Sequence, residues 1–225
     1  MLMSYPTFMK HLTIIIFCLT LVGCNNTALQ TNEVISKSIH VPDTTNNWYA
    51  KLYDYPNYVT KTEIAKELKL DNLETDTLNS EVRIWIIGSN YNPQRILSLK
   101  KLNNTWTIAR ITYYLKFKGQ HTKVKADSVS IQGNIEKEIT LKDFNLLNTE
   151  QLWLLPSQSE MKIGSSYGCT DGYALFIEIN SKSKYKFSSY MCPDMHVAKD
   201  STFRTVENFV KNLGKLFNGN NLDVE

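Results

Sequence analysis

The sequence predicts an α+β protein: an antiparallel β-sheet made of a meander and a hairpin, covered by helices and ending in a C-terminal amphipathic helix. Three observations lead there. Residues 81–87, EVRIWII, alternate with the period of a strand, placing Val82, Ile84 and Ile86 on one side and Glu81, Arg83 and Trp85 on the other. The strand-like runs that follow are joined by connections too short for parallel crossovers. Residues 200–217 repeat apolar groups at Phe203, Val206, Val210, Leu213 and Phe217, the spacing of one helix face.

Taken in order, TKTEIAKELKL, from Thr60, reads as a short helix with Thr60 or Thr62 as its cap and Ile64, Ala65 and Leu68 on one face. After the strand at 81–87, NYNP at 90–93 is a turn, QRILSLKKL a second strand, and Asn103-Asn104 a tight hairpin turn. TWTIARITYYLKF is the third strand and TKVKADSVSI, at 122–131, the fourth. Residues 140–155 read as a helix up to Pro156, weakened by Asn145 and Asn148. YALFIEI and KYKFSSYM, joined by NSKS, form a hairpin, and Ser201 or Thr202 is available to cap the last helix. An antiparallel sheet covered on one face by helices is the economical way to bury these faces.

The N-terminal segment reads differently. One lysine, Lys10, precedes an apolar run from Leu12 to Val22, too short to span a bilayer but suited to a signal peptide. The run ends Leu21, Val22, Gly23, Cys24, and these four residues resemble the lipobox of bacterial lipoproteins. That resemblance implies cleavage before Cys24, lipidation of its thiol, palmitate among the acyl chains, and a membrane anchor in the cell envelope. Several acyl chains on one cysteine hold a protein on a membrane almost permanently. The expected organisation is therefore a signal peptide at 1–23, the lipidated Cys24 with a flexible tether at 24–47, and one α+β domain at 48–225. The tether, rich in Asn, Thr and Ser and without aromatics, has too little apolar surface to offset its ordering entropy. The body as a whole is similar to lipoproteins of the Bacteroidetes, although NNTALQ after Cys24 lacks the acidic cluster that marks surface export there. The periplasmic face of the outer membrane is the location this resemblance implies. Four short runs, at Asp43, Asp76, Asp127 and Asp200, each resemble the acceptor motif for O-glycans in that phylum.

Charge excludes one class of partner. With 25 Lys and Arg against 22 Asp and Glu, interspersed in sign, the chain has no dedicated nucleic-acid surface. Four cysteines are present, and once Cys18 leaves with the signal and Cys24 carries lipid, Cys169 and Cys192 remain at the two ends of the expected hairpin. In an oxidising compartment they are expected to form a disulfide, a catalytic or metal-binding thiol being the rival reading.

One pattern suggests catalysis. GSSYG, Gly164 to Gly168, satisfies GxSxG with Ser166 at the nucleophile position, and PDMH supplies Asp194 and His196 in the chain order of a serine hydrolase. The mechanism needs a buried strand entering the elbow and a helix leaving it, whereas a polar loop precedes this motif and a strand follows it. The expectation is therefore a non-enzyme, with Ser166, Asp194 and His196 as a serine hydrolase alternative. The histidines are scattered without metal-ligand spacing and no glycine loop cradles a phosphate, so neither metal nor cofactor is expected.

Aromatics point to binding. Trp48, Tyr49, Tyr53 and Tyr55 crowd the start of the expected domain, and Trp106 stands on an expected strand. Such side chains combine apolar area with a hydrogen-bonding tip and recur in binding surfaces, but they also cover the ends and edges of sheets. The functional expectation is a membrane-anchored envelope lipoprotein that binds a protein or a glycan. A periplasmic inhibitor or immunity-type protein is the alternative of the same build.

Overall fold

A seven-stranded, mostly antiparallel sheet runs through the body in the spatial order β1-β7-β6-β2-β3-β4-β5. Its strands are β1 (Ser38–His40), β2 (Ser80–Gly88), β3 (Gln94–Leu102), β4 (Thr105–Lys116), β5 (Ser128–Ile139), β6 (Tyr173–Asn180) and β7 (Lys184–Met191). Helices α1 (Tyr55–Glu67), α2 (Leu141–Leu147), α3 (Glu150–Leu154) and α4 (Ser201–Asn218) pack on it. The computed structural model describes residues 36–47, 50–88, 93–116, 128–161 and 172–218, without the side chains of Leu52, Tyr53, Tyr55, Pro56 and Asn218. All of these belong to one compact unit, Ile35–Glu225. The expected signal peptide and Cys24 lie outside the described residues.

The α+β class, the meander β2-β3-β4-β5 and the hairpin β6-β7 are as the sequence predicts. The hairpin joins the meander through β6, which pairs antiparallel with β2 from Glu81↔Asn180 to Gly88↔Tyr173. β2 therefore lies at the centre of the sheet, and this overturns its reading as half-buried. Glu81, Arg83 and Trp85 are as buried as Val82, Ile84 and Ile86, because helices cover both faces rather than one. On one face α2, α3 and α4 pack over Val82, Ile84, Ile86, Leu97, Leu99 and Ile108. On the other, Ile64 and Leu68 from α1 and its exit pack over Trp85, Ile96, Tyr113, Phe176 and Phe187.

α4 uses the apolar positions its spacing predicts: Phe203, Val206, Val210, Leu213 and Phe217 are all buried. Its cap differs. The Asp200 carboxylate accepts the Thr202 backbone N–H at 2.6 Å, so Asp200, not Ser201 or Thr202, satisfies the first turn. α1 begins earlier than expected, at Tyr55, directly after a five-residue π-helical turn, Ala50–Asp54. Thr62 lies inside it, with its hydroxyl donating to the Tyr58 carbonyl at 2.8 Å. The single helix expected over 140–155 is two helices, because Asn148 adopts the left-handed conformation at φ 49° and ends α2.

β5 extends to Ile139, beyond the expected end at residue 131. IQGNIEKEI looks unlike a strand because it contains Gly, Asn and three successive charges. At a sheet edge those residues face water on both sides, and the charges guard against edge-to-edge pairing. The opposite edge is closed by chain that was expected to be tether. β1 pairs parallel with β7, Ser38↔Lys184 to His40↔Lys186, so the folded body begins before Trp48. Lys37 anchors this entry: its ammonium donates to the Leu73 carbonyl at 2.6 Å and to the Asn180 side chain. Farther along β7, the Ser189 and Met191 N–H groups are taken by side chains, Ser157 Oγ at 2.9 Å and Gln158 Oε1 at 2.6 Å.

Candidate functional site

The residues named from sequence separate into three groups. Cys24, Trp48, Tyr49, Ser166 and Cys169 lie outside the described residues. Tyr53 and Tyr55 are placed by their backbone only, in the π-helical turn and at the start of α1. Trp106, Cys192, Asp194 and His196 are placed in full.

Asp194 and His196 stand on a 3₁₀ turn, Pro193–His196, that leaves the end of β7. They face different surroundings. Asp194 is exposed, while His196 is buried with its ring tilted against Phe203 of α4, 5.1 Å between centroids. Burial, and then the nearby Lys199, lower the His196 pKa against the opposing charge of Asp194 and favour a neutral ring. Beside them the Tyr173 hydroxyl, at the start of β6, donates to the Glu207 carboxylate of α4. The second Glu207 oxygen lies 3.7 Å from Lys211 Nζ. Burial raises the Glu207 pKa against the opposing hydrogen bond from Tyr173, and burial together with Glu207 raises Tyr173. This cluster joins β6 to α4, and its polar atoms are directed at one another.

The sheet face under α1 holds a larger polar network that the sequence reading missed. Lys61 donates to Glu178 Oε1 at 2.6 Å and to the Tyr185 hydroxyl at 2.9 Å, and Tyr185 in turn donates to Glu178 Oε1 at 2.9 Å. Trp85 Nε1 donates to the other Glu178 oxygen at 2.8 Å, and the Arg83 guanidinium lies 3.9 Å from it. Arg83 also donates to Glu81, which accepts from Ser98. Burial pushes the Glu178 carboxyl up, but Lys61, Arg83 and the hydrogen bonds from Lys61 and Trp85 outweigh it and hold the pKa below its usual value. Lys61 is further boxed by aromatic rings, with Tyr58 4.6 Å and Phe187 5.6 Å from its nitrogen to the centroids. Losing one partner of such a pair costs about 3–5 kcal/mol, since the other charge is left buried alone. The sequence signal was present: Glu81 and Arg83 alternate with apolar residues in a strand that proves to be central.

A second missed cluster closes the β7 edge. The Asp54 carboxylate, at the end of the π-helical turn, accepts hydroxyls from Ser157 at 3.2 Å, from Ser159 and from Ser189. Burial raises its pKa against those three hydrogen bonds. The hydroxyls all donate toward the carboxylate, so the arrangement clamps the turn to the sheet. Lys186 does the same for α3, donating to the carbonyls of Trp153 at 2.8 Å and of Leu155. Three of the four Asp-Ser/Thr runs fall on described residues, and all three use their aspartates locally: Asp43 accepts the Thr45 N–H at 2.7 Å, Asp76 the Leu78 N–H at 2.8 Å and Asp200 the Thr202 N–H at 2.6 Å.

The outward surface of α2 and α3 has another character. Phe144, Leu147, Leu152 and Trp153 turn inward to the sheet, while Leu141, Leu146 and Leu154 are 65%, 66% and 83% exposed. Trp106 supports this surface from below: its ring stacks on Phe144 at 3.8 Å and 12°, with Lys101 Nζ 5.8 Å from its centroid. Trp106 is thus half-buried as a floor. Among the described residues no group of His, Cys, Asp and Glu could hold a metal ion, and no helix is long and apolar enough to cross a membrane.

Fold and surface together define a mixed-sheet α+β protein with internally paired charges and an apolar outer face on two short helices. Compared with known proteins, the chain matches no family model, no curated protein and no solved structure.

Proposed function

We propose that this chain is a lipid-anchored lipoprotein of the bacterial envelope, held through Cys24 on the periplasmic face of the outer membrane, whose body binds a protein. The observation that carries the binding reading is the trio Leu141, Leu146 and Leu154, exposed on α2 and α3 above the Trp106–Phe144 stack. Three largely exposed leucines on two consecutive short helices offer apolar area to a partner. Aliphatic side chains favour a protein over a glycan, whose sugar faces stack on aromatic rings. An inhibitor or immunity-type role is one form of this protein binding. A non-enzyme is supported by the different surroundings of Asp194 and His196, and by the way Glu178 and Asp54 are occupied by neighbouring side chains. We propose further that Cys192 pairs with Cys169. The Cys192 N–H donates to the Tyr173 carbonyl at 2.8 Å, and Tyr173 is only four positions beyond Cys169.

Two measurements test the reading. Cross-linking in envelope preparations is expected to capture a partner with the wild-type body and to lose it with Leu146→Asp and Leu154→Asp, substitutions at exposed positions that leave the core intact. Equal capture by wild type and variants, or none, refutes the docking face. Incorporation of a fatty-acid analogue is expected in wild type and absent in Cys24→Ser; equal labelling removes the anchor. A fluorophosphonate adduct abolished by Ser166→Ala would replace the binding reading with the hydrolase.

A further inference from the structure

Two side chains in the α1-side core carry polar atoms that no group among the described residues answers. Gln94, the first residue of β3, and Tyr113 of β4 are paired in register, so their side chains stand on the same face of neighbouring strands. Both are 0% exposed. The Gln94 side-chain carbonyl accepts the Gly88 N–H at 2.9 Å, which fixes the orientation of the amide and leaves Nε2 with two N–H donors to place. Among the described residues neither Gln94 Nε2 nor the Tyr113 hydroxyl has a hydrogen-bond partner. The Tyr113 ring packs edge-on against Trp85 at 6.4 Å, among Ile96, Ile111 and Leu115.

A buried donor and a buried hydroxyl left unanswered oppose folding, whereas Leu and Phe would fill the same volume without that cost. The two residues are moreover cross-strand partners on one face, and their free groups are complementary. One can only donate and the other can donate or accept, so a single molecule able to do both satisfies them together. The sheet is irregular at the same place: Thr112 pairs with Gly133 but Tyr113 pairs with Ile131, so Gln132 is an extra residue in β5. Bulges of this kind loosen a ladder locally and are frequent beside binding sites.

We propose that Gln94 and Tyr113 form an internal binding site for one small neutral hydrogen-bonding molecule, a water, which accepts from Gln94 Nε2 and bonds the Tyr113 hydroxyl. Internal waters typically make about three hydrogen bonds to groups of this kind and are costly to remove. The water ties β3 to β4 on the face opposite α4.

The test is a double-mutant cycle on the full chain with Tyr113→Phe, Gln94→Leu and the double variant, read by thermal denaturation. Gln94→Leu also loses the Gly88 contact, and the cycle removes that contribution from the comparison. If one water bridges both groups, Tyr113→Phe lowers Tm by about 2–4 °C, and the double variant falls by less than the sum of the two single variants. A rise in Tm for Tyr113→Phe, or strictly additive falls, overturns the site. A crystal structure gives the direct answer. Density within hydrogen-bond distance of both Gln94 Nε2 and the Tyr113 hydroxyl supports it, and a dry contact refutes it.

Discussion

Single residues in this protein are legible by type and illegible by partner. Glu178 reads from sequence as one more carboxylate on a strand, yet it is the hub for four other side chains, because β2 and β7 flank β6 and α1 covers it. Glu207 is the opposite case. Its position on the buried side of α4 follows from helical period, and burial, outweighing the Tyr173 hydrogen bond and Lys211, decides its titration. Its native pKa is raised above the usual 4.5, so the folded state holds the proton more tightly than the unfolded chain does. That contribution favours the fold below pH 4.5 and is lost as the pH rises through the native pKa. Glu207→Gln is neutral at every pH and lacks this loss. The variant is therefore expected to gain Tm relative to wild type between pH 4.5 and pH 7, in paired thermal melts. A difference that stays constant with pH would show that Glu207 titrates normally. Glu178 acts in the other direction: its lowered pKa stabilises the fold above the usual carboxylate range, and that stability is lost as the pH falls.

Among elements, those with a strong internal period were legible and those defined by their neighbours were not. α4 and the hairpin β6-β7 carry their pattern in the chain, but β1 is three residues long and exists because β7 offers it an edge. α2 is intermediate. It is seven residues long and is held at its start by a capping box, in which the Asp143 N–H donates to Thr140 Oγ1 at 3.2 Å and the Thr140 N–H to Asp143 Oδ2 at 3.3 Å. A helix this short depends heavily on its cap and on tertiary contacts. Thr140→Ala is expected to cost about 1 kcal/mol, a Tm loss of about 2–4 °C. It should also weaken partner capture, because Leu141 and Leu146 ride on α2. Thermal melts and the cross-linking assay read the two effects, and unchanged values in both would mean that the cap does not hold the docking face.

For the whole molecule the central arrangement is the insertion of β2 between β6 and β3, which closes the chain's two halves into one sheet. The proposed Cys169–Cys192 bridge would staple the open end of the β6-β7 hairpin in that arrangement. A loop of that size contributes about 3 kcal/mol, a sizeable share of a net stability of about 5–15 kcal/mol. Reduction of the envelope-expressed protein should lower its Tm, and mass spectrometry should find the Cys169 and Cys192 peptides linked. Two alkylated peptides from unreduced protein would sink the bridge.

By itself the sequence determined the α+β class, the order of the meander and hairpin, and the amphipathic C-terminal helix. Each of these rests on periodicity between near neighbours along the chain. It also pointed to Cys24, Asp194 and His196 as chemistry worth locating. Tertiary structure alone decided that β2 is buried on both faces, that residues 38–40 join the sheet, and that β5 runs on to Ile139. It also decided that Lys61 meets Glu178 across 117 positions of sequence, and that three leucines stay outside on α2 and α3. The reason is physical. Local pattern states which face a residue prefers, whereas the burial of a charge or the exposure of a leucine depends on which distant element comes to cover it.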